Sequence, residues 1–243
     1  MLGKMGLKPY SIYEIKDLTH GEADSSKIVS FKMKPKDGEN FKFVPGMFSS
    51  LFLDPADKLF RSYSIASSPM DDHMEFMIEL INGKFTSRLA NLKEGDEIYV
   101  SEPRGAFLYE PDDTHNALFL AAGIGIAPFF SMLRYIKQKN MNRDIYLFYS
   151  IKHKDDVVNM EELEGYRGLG LKIIFTVTRD PENEPWCLER GRINVQMIQR
   201  HVSDFASRTI YLCGGIRFVK DIVDELKAKG INDEAIKRDI WGE

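Results

Sequence analysis

The sequence predicts two domains in tandem, an N-terminal antiparallel β-barrel followed by a C-terminal α/β domain on a parallel sheet, and three observations carry that expectation. The first is length: 243 residues exceed one ordinary hydrophobic core and suit two domains of roughly 100 to 130 residues each. The second is a change of hydrophobic period. Up to about residue 110 apolar residues alternate with polar ones, whereas beyond residue 115 they form compact runs interleaved with helical stretches. The third is the polar stretch between the two regimes, "YEPDDTHN" at 109–116, with a proline and two aspartates. The domains are expected at 1–112 and 113–243.

In the first half, Val29, Phe31 and Met33, then Met74, Phe76, Ile78 and Leu80, then Ile98 and Val100 recur at period two and read as strands. The segments "PKDGEN", "LDPADK" and "KEGDE" supply turn chemistry between them, and short, evenly spaced strands suit a small barrel. "RSYSIASSP" at 61–69 breaks the rhythm by placing an arginine, a tyrosine and four serines in a strand-rich region. "NGKFTSRLANL" opens a short helical pattern from Gly83 and Thr86 to Leu92, with the threonine hydroxyl expected at the cap. In the second half, "NALFLAAG", "RDIYLFYS", "LKIIFTVT" and "RTIYLCGG" suit parallel strands buried on both faces. "APFFSMLRYIKQK" and "FVKDIVDELKAKG" read as crossover helices.

Composition narrows the classes. With 43% hydrophobic and 29% charged residues and a net charge of -4, the chain is an ordinary globular protein whose scattered lysines and arginines form neither a nucleic-acid stripe nor a polybasic membrane anchor. No apolar run approaches the roughly 20 residues of a membrane span, and "MLGKMGLKPY" lacks the apolar core of a signal peptide, so a cytoplasmic protein is expected. Two cysteines, Cys187 and Cys213, are too few for a disulfide framework or a built-in iron–sulfur cluster. His20, His73, His115, His153 and His201 show no ligand spacing, and no metal site is expected.

Three segments carry candidate chemistry. Gly123, Gly125 and Pro128, spaced G-x-G-x-x-P after the strand "ALFLAAG", allow a tight turn with a proline at the first helical position and free N–H groups behind it, which is an anion site or a tight structural connection. Gly83 and Thr86 could present a second set of N–H groups to a phosphate, or simply cap a helix. Arg61 can fork two hydrogen bonds to a phosphate, Tyr63 can lie against a ring system, and Ser64 can donate to a ring nitrogen or carbonyl. Together these residues fit a large, phosphate-bearing aromatic cofactor.

Taken in order, "RSYSIASSP", "GKFTSRLANLKEGDE", "AAGIGIAPFFSMLRY", "TVTRDPENEPWCLERGRI" and "YLCGG" resemble the ferredoxin–NADP reductase family of flavoproteins, over nearly the whole chain from about residue 10. The resemblance implies an FAD-binding barrel and a nicotinamide-nucleotide-binding α/β domain. It implies that Arg61 holds the flavin pyrophosphate, Tyr63 stacks on the isoalloxazine and Ser64 bonds near its reactive nitrogen, with Ser62 counted among the cofactor contacts. Gly83, Lys84, Phe85 and Thr86 match the second phosphate-binding turn, and Gly123, Gly125 and Pro128 match the nicotinamide-nucleotide loop, where Ile124 stands in place of a frequent threonine. Cys213 and Gly214 match the family's Cys-Gly at a strand end facing the nicotinamide, although a cysteine there reads by itself as a small core residue. Cys187, beside Trp186, matches nothing. The ending "RDIWGE" resembles the acidic–x–aromatic ending of plant-type members and implies Asp239 and Trp241 near the flavin, departing from it by Gly242 and Glu243; a terminal aromatic pinning the tail is the alternative.

The same resemblance pairs Thr178 and Arg179 with the 2′-phosphate of NADPH, with Arg190 and Arg192 as further partners and NADH as the alternative coenzyme. It implies an enzyme that moves electrons between NAD(P)H and a ferredoxin or flavodoxin-like carrier through FAD. Lys32, Lys34, Lys36 and Lys42 are candidates for docking an acidic carrier, or are simply outward faces of strands. An oxygenase-associated, free-flavin or quinone reductase, a subunit of an electron-transfer complex and a non-enzymatic nucleotide-binding module stay open as alternatives.

Overall fold

Alternating side chains build the strands of the first half in the computed structural model, which describes residues 6–19, 27–110, 116–179, 187 and 189–241. Strands β1 (Lys8–Asp17), β2 (Ile28–Pro35), β3 (Phe48–Phe52), β4 (Phe60–Ser64), β5 (Met74–Glu79) and β6 (Glu97–Val100) form one antiparallel sheet in the order β4-β3-β6-β1-β2-β5. Val29, Phe31 and Met33 point inward with Met74, Phe76, Ile78, Ile98 and Val100, around Tyr10 and Ile12. The two outer strands meet where Ile65 bridges Phe76 and the Ala66 N–H donates to the Glu75 carbonyl at 2.8 Å, closing the sheet into the expected barrel. The short helix α1 (Lys84–Leu89) follows β5 and buries Phe85, Thr86 and Leu89.

The chain separates into two units. One takes in the chain up to Glu110 together with Ala127–Tyr135, and the other takes in Pro111–Ile126 and everything from Ile136 onward. Most of helix α2 (Ala127–Gln138) therefore groups with the barrel, although it follows the first strand of the second half in sequence. Within the polar stretch 109–116, residues 111–115 lie outside the described residues, as do His20, Trp186, Gly242 and Glu243.

The second unit is a sheet of six parallel strands, β7 (Ala117–Ala122), β8 (Ile145–Ile151), β9 (Leu171–Val177), β10 (Glu189–Arg190), β11 (Thr209–Gly215) and β12 (Ile236–Trp241), in the order β10-β9-β8-β7-β11-β12. The central runs β7, β8, β9 and β11 are nearly continuously buried, as a sheet covered on both faces requires. Helix α3 (Met160–Gly165) lies between β8 and β9, and helices α4 (Val195–His201) and α5 (Ile216–Ala228) flank β11 in the chain. Val219, Ile222, Val223 and Leu226, spaced i, i+3, i+4, i+7, put the apolar stripe of α5 onto a core shared with Leu118, Leu120, Ile210 and Leu212.

Two local expectations are corrected. Gly83, not Thr86, occupies the cap of α1; Thr86 is the third helical residue, and its hydroxyl accepts the Gly83 N–H at 3.3 Å while donating to the Ile81 carbonyl. Pro128 is the second residue of α2 instead of the first, because Gly123–Ile126 forms a 3-10 turn of its own and Ala127 opens the helix. Among the described residues no helix is long and apolar enough to cross a membrane, and no group of three histidine, cysteine or carboxylate side chains could hold a metal.

Candidate functional site

The barrel carries the first set of candidate residues on its edge strand β4. Register pairs Leu51 with Arg61, Ser50 with Ser62, Ser49 with Tyr63 and Phe48 with Ser64. Because successive strand side chains alternate, Arg61 and Tyr63 share one face and Ser62 takes the other. Ser62 is accordingly separated from its neighbours: its hydroxyl lies 2.9 Å from that of Ser50, which accepts the Arg104 Nη2 at 3.0 Å. Ser62, exposed on this strand, keeps its place among the candidate cofactor contacts.

Arg61 is exposed, its Nη1 donates only to the adjacent Phe60 carbonyl at 2.9 Å, and among the described residues no carboxylate pairs with it. Its guanidinium keeps most of its five donors for an anion. Tyr63 is half-buried, and that burial pushes its phenol up to about 12 against the opposing effect of Arg61. Its ring stands 6.2 Å from that of Phe85, tilted by 38°. This contact brings the Arg61–Ser64 strand beside the first turn of α1, where Gly83, Lys84 and Thr86 lie, although the two motifs are some twenty residues apart in sequence. The first backbone N–H groups of a helix have no intrahelical acceptor, so an exposed guanidinium, an aromatic ring and unfilled N–H donors converge on one part of the barrel. Ser49, fully buried opposite Tyr63, has no hydrogen-bond partner for its hydroxyl. This donor set fits a diphosphate joined to a flat ring system, as FAD requires.

The parallel sheet carries the second set. Gly123 takes a φ of +54°, and a Cβ on Gly125 would collide with the Cys213 carbonyl oxygen and lie 2.7 Å from its carbon. Only glycines let this turn press against the end of β11, which brings Gly123 and Gly125 together with Cys213 and Gly214. Register sets Cys213 opposite Asp239, Gly214 opposite Ile240 and Gly215 opposite Trp241. The Cys213 thiol is 1% exposed and 3.9 Å from Asp239 Oδ2; burial first, then the aspartate charge, raises its pKa well above the ordinary thiol value. It is a neutral thiol, not a nucleophile. Trp241, 40% exposed, ends the edge strand, which the backbone ladder holds to β11.

The arginines gather near the end of β9. Arg190 is paired with Val177, the Gly191 N–H donates to the Val177 carbonyl at 2.9 Å, and the Arg179 N–H donates to the Lys152 carbonyl at 3.0 Å. Arg179, Arg190 and Arg192 are exposed. The Thr178 hydroxyl already donates to the Ile151 carbonyl at 3.0 Å, so its proton is engaged and an anion here depends on the arginines. Glu189, between them in sequence, pairs with Arg200 at 2.7 Å and lies 2.7 Å from His201 Nε2, with Arg200 foremost in holding its carboxyl below the usual range. The Cys187 thiol lies 2.8 Å from the Glu189 carbonyl oxygen and 3.4 Å from that of Phe175, so its one proton is engaged within the fold.

The chain's sequence reading passed over Arg134, Ser131 and Glu75. Arg134 Nη1 donates to the Ala66 carbonyl at 2.9 Å and to Glu75 Oε2 at 2.5 Å, and Ser131 Oγ donates to the Ser67 carbonyl at 2.7 Å. A signal was present: Ser131 and Arg134 are an i, i+3 polar pair in the apolar helix "APFFSMLRYI", and Glu75 interrupts the apolar strand "MEFMIE".

Comparison with known proteins agrees with this geometry. The oxidoreductase FAD-binding domain family matches residues 16–109, and the oxidoreductase NAD-binding domain family matches residues 119–224. The glycine betaine monooxygenase reductase subunit of Pseudomonas aeruginosa is 30% identical over 208 residues, covering 83% of this chain and 57% of its own. Across the curated relatives that it matches, the chain spans 57% to 65% of their length. The ferredoxin reductase in carbazole 1,9a-dioxygenase shares the fold with a TM-score of 0.82 at 23% identity, covering 98% of this chain and 70% of that one. Ferredoxin-NADP+ reductase from Plasmodium falciparum does so with a TM-score of 0.80 at 19% identity, covering 97% and 96%. With an FAD-binding barrel followed by an NAD-binding parallel-sheet domain, the chain belongs to the ferredoxin–NADP reductase family.

Proposed function

We propose that this protein is a flavin-dependent oxidoreductase that takes electrons from NAD(P)H and passes them to a one-electron carrier of the ferredoxin or flavodoxin type. The observation that supports it most directly is the Tyr63–Phe85 contact, which sets an exposed, carboxylate-free Arg61 and an aromatic ring beside the first turn of α1. Bound FAD supplies the redox chemistry, accepting a hydride and releasing electrons singly. The chain's own residues bind and orient. Arg61 and, in the turn that Gly83 opens, the N–H groups of Lys84, Phe85 and Thr86 hold the diphosphate, Tyr63 supports the ring, and Ser64 offers a hydroxyl to a ring nitrogen.

Gly123 and Gly125 on the second unit, and Pro128 in the first turn of α2, serve the nicotinamide nucleotide, while Arg179, Arg190 and Arg192 meet a 2′-phosphate. Cys213 and Gly214 give the nicotinamide a small, neutral wall. Asp239 takes part through Cys213, and Trp241 supplies an aromatic face for a cofactor ring. A second reading, a reductase serving an oxygenase, is favoured by the printed names of relatives such as the glycine betaine monooxygenase reductase subunit and the toluate 1,2-dioxygenase electron transfer component of Pseudomonas putida.

Anaerobic mixing with each nucleotide tests the proposal. The purified protein is expected to be yellow and to bleach with NADPH faster than with NADH, and Arg179→Ala is expected to erase the preference by weakening NADPH roughly tenfold. A colourless protein that takes up no FAD, or a yellow one that neither nucleotide bleaches, refutes it. Equal losses for both nucleotides in Arg179→Ala remove the coenzyme assignment alone.

A further inference from the structure

The segment that leaves β4, Ile65 to Ser68, is fully buried and follows directly on Tyr63 and Ser64. Its backbone is held from two directions. On one side it joins β5, where the Ala66 N–H donates to the Glu75 carbonyl at 2.8 Å and the Ser67 hydroxyl accepts the Glu75 N–H at 3.0 Å. On the other, α2 supplies two side-chain donors to two successive carbonyls, Arg134 to Ala66 at 2.9 Å and Ser131 to Ser67 at 2.7 Å. Glu75 is 2% exposed and spends one oxygen on Arg134 at 2.5 Å and the other on the Ser30 hydroxyl at 2.6 Å.

We propose that Arg134, assisted by Ser131, is a positioning residue for the redox site: by clamping the Ala66 and Ser67 carbonyls it sets the direction of the strand end that presents Tyr63 and Ser64 to the flavin. The inference rests on the flavoprotein reading above and deepens it. An ion pair that served stability alone would not need the guanidinium to reach a backbone carbonyl as well as a carboxylate. Nor would it need a second hydroxyl from the same helix on the next carbonyl. Both donors come from one face of α2, three residues apart, and both acceptors lie within four residues of Ser64. A ring and a hydroxyl that must meet a cofactor to within a fraction of an ångström gain from such support, because small displacements cost rate more than they cost binding.

The test compares wild type, Arg134→Lys and Ser131→Ala as FAD-loaded proteins. Lysine keeps the charge beside Glu75 on a shorter reach and loses the planar fork; alanine removes a single hydroxyl. Both are expected to alter the visible circular dichroism of the flavin and to slow its reduction by nucleotide, roughly tenfold for Arg134→Lys, with nucleotide Kd unchanged within about twofold. If Arg134→Lys does not fold, Ser131→Ala decides by the same readouts. Variants that melt earlier yet show wild-type flavin dichroism and reduction rate overturn the positioning role and leave the function standing. A wild type that binds no flavin overturns both.

Discussion

At the scale of single residues, Cys213 shows how burial fixes a protonation state. Its thiol is enclosed and faces the carboxylate of Asp239 at 3.9 Å, and both conditions penalise the thiolate. The folded protein therefore holds this proton more tightly than the unfolded chain does. Stability from that difference is fully present below the ordinary thiol range and is lost as pH rises above it, at up to about 1.4 kcal/mol per pH unit. Urea midpoints of wild type are expected to fall between about pH 9 and 10, and Cys213→Ala is expected to flatten that fall. Tyr10 and Tyr63, both pushed up to about 12 chiefly by burial, add losses of the same sign that start higher and persist in the variant. An alanine variant with the wild-type slope between these pH values would show that the thiol keeps its ordinary titration.

Among the elements, α1 is six residues long and too short to be stable by itself, so its position depends on how its first turn is tied. Thr86 does the tying, with its hydroxyl joined to the Gly83 N–H and the Ile81 carbonyl in a buried position. Thr86→Val keeps the shape and removes both bonds, leaving the Gly83 N–H on the Ile81 carbonyl alone at 2.7 Å, an expected loss of about 0.5 to 1.5 kcal/mol in urea unfolding together with weaker FAD binding by fluorescence quenching. Thr86→Ser is expected to restore most of both; a valine variant equal to wild type, or a serine variant as poor as valine, contradicts the assignment. The element itself was legible as a helical pattern after a glycine, but the cap was misread, because Gly83 and Thr86 are three residues apart and only the bonds to Ile81 show which one starts the helix. Strands with one apolar face, such as β2 with Val29, Phe31 and Met33, were legible because period two is written in their residues. Strand β12, "IKRDIW", was not: it lies at the sheet edge with Lys237, Arg238 and Asp239 along it, and its order comes from the ladder to β11, which no local pattern encodes. The hydroxyl pair of Ser62 with Ser50 is unwritten in the sequence for a related reason, since it follows from the pairing of β4 with β3.

For the molecule as a whole, an acidic carrier of the kind proposed would have to approach a chain whose own net charge is -4. Lys32, Lys34 and Lys36 alternate with the buried Phe31 and Met33 and so form an outward row on β2 and just beyond it, which made them docking candidates. Each is already answered by a carboxylate. Lys32 meets Glu14 at 2.7 Å, Lys34 meets Asp72 at 2.7 Å, and Lys36 pairs with Glu97. The pairing shows on the acids too, since Lys34 leads in lowering Asp72 and Lys36 leads in lowering Glu97. Exposed pairs contribute little energy, but they cancel the field that would draw a partner from a distance, and beyond about a Debye length a row of paired charges is close to neutral. The row therefore offers little unneutralised charge with which to steer an acidic carrier. With a ferredoxin as acceptor, the triple variant Lys32→Gln, Lys34→Gln, Lys36→Gln is expected to reduce it within about threefold of the wild-type rate and with the same dependence on ionic strength. A tenfold loss that high salt abolishes in wild type would return these lysines to the docking surface, because only an unneutralised patch gives an effect of that size and salt sensitivity.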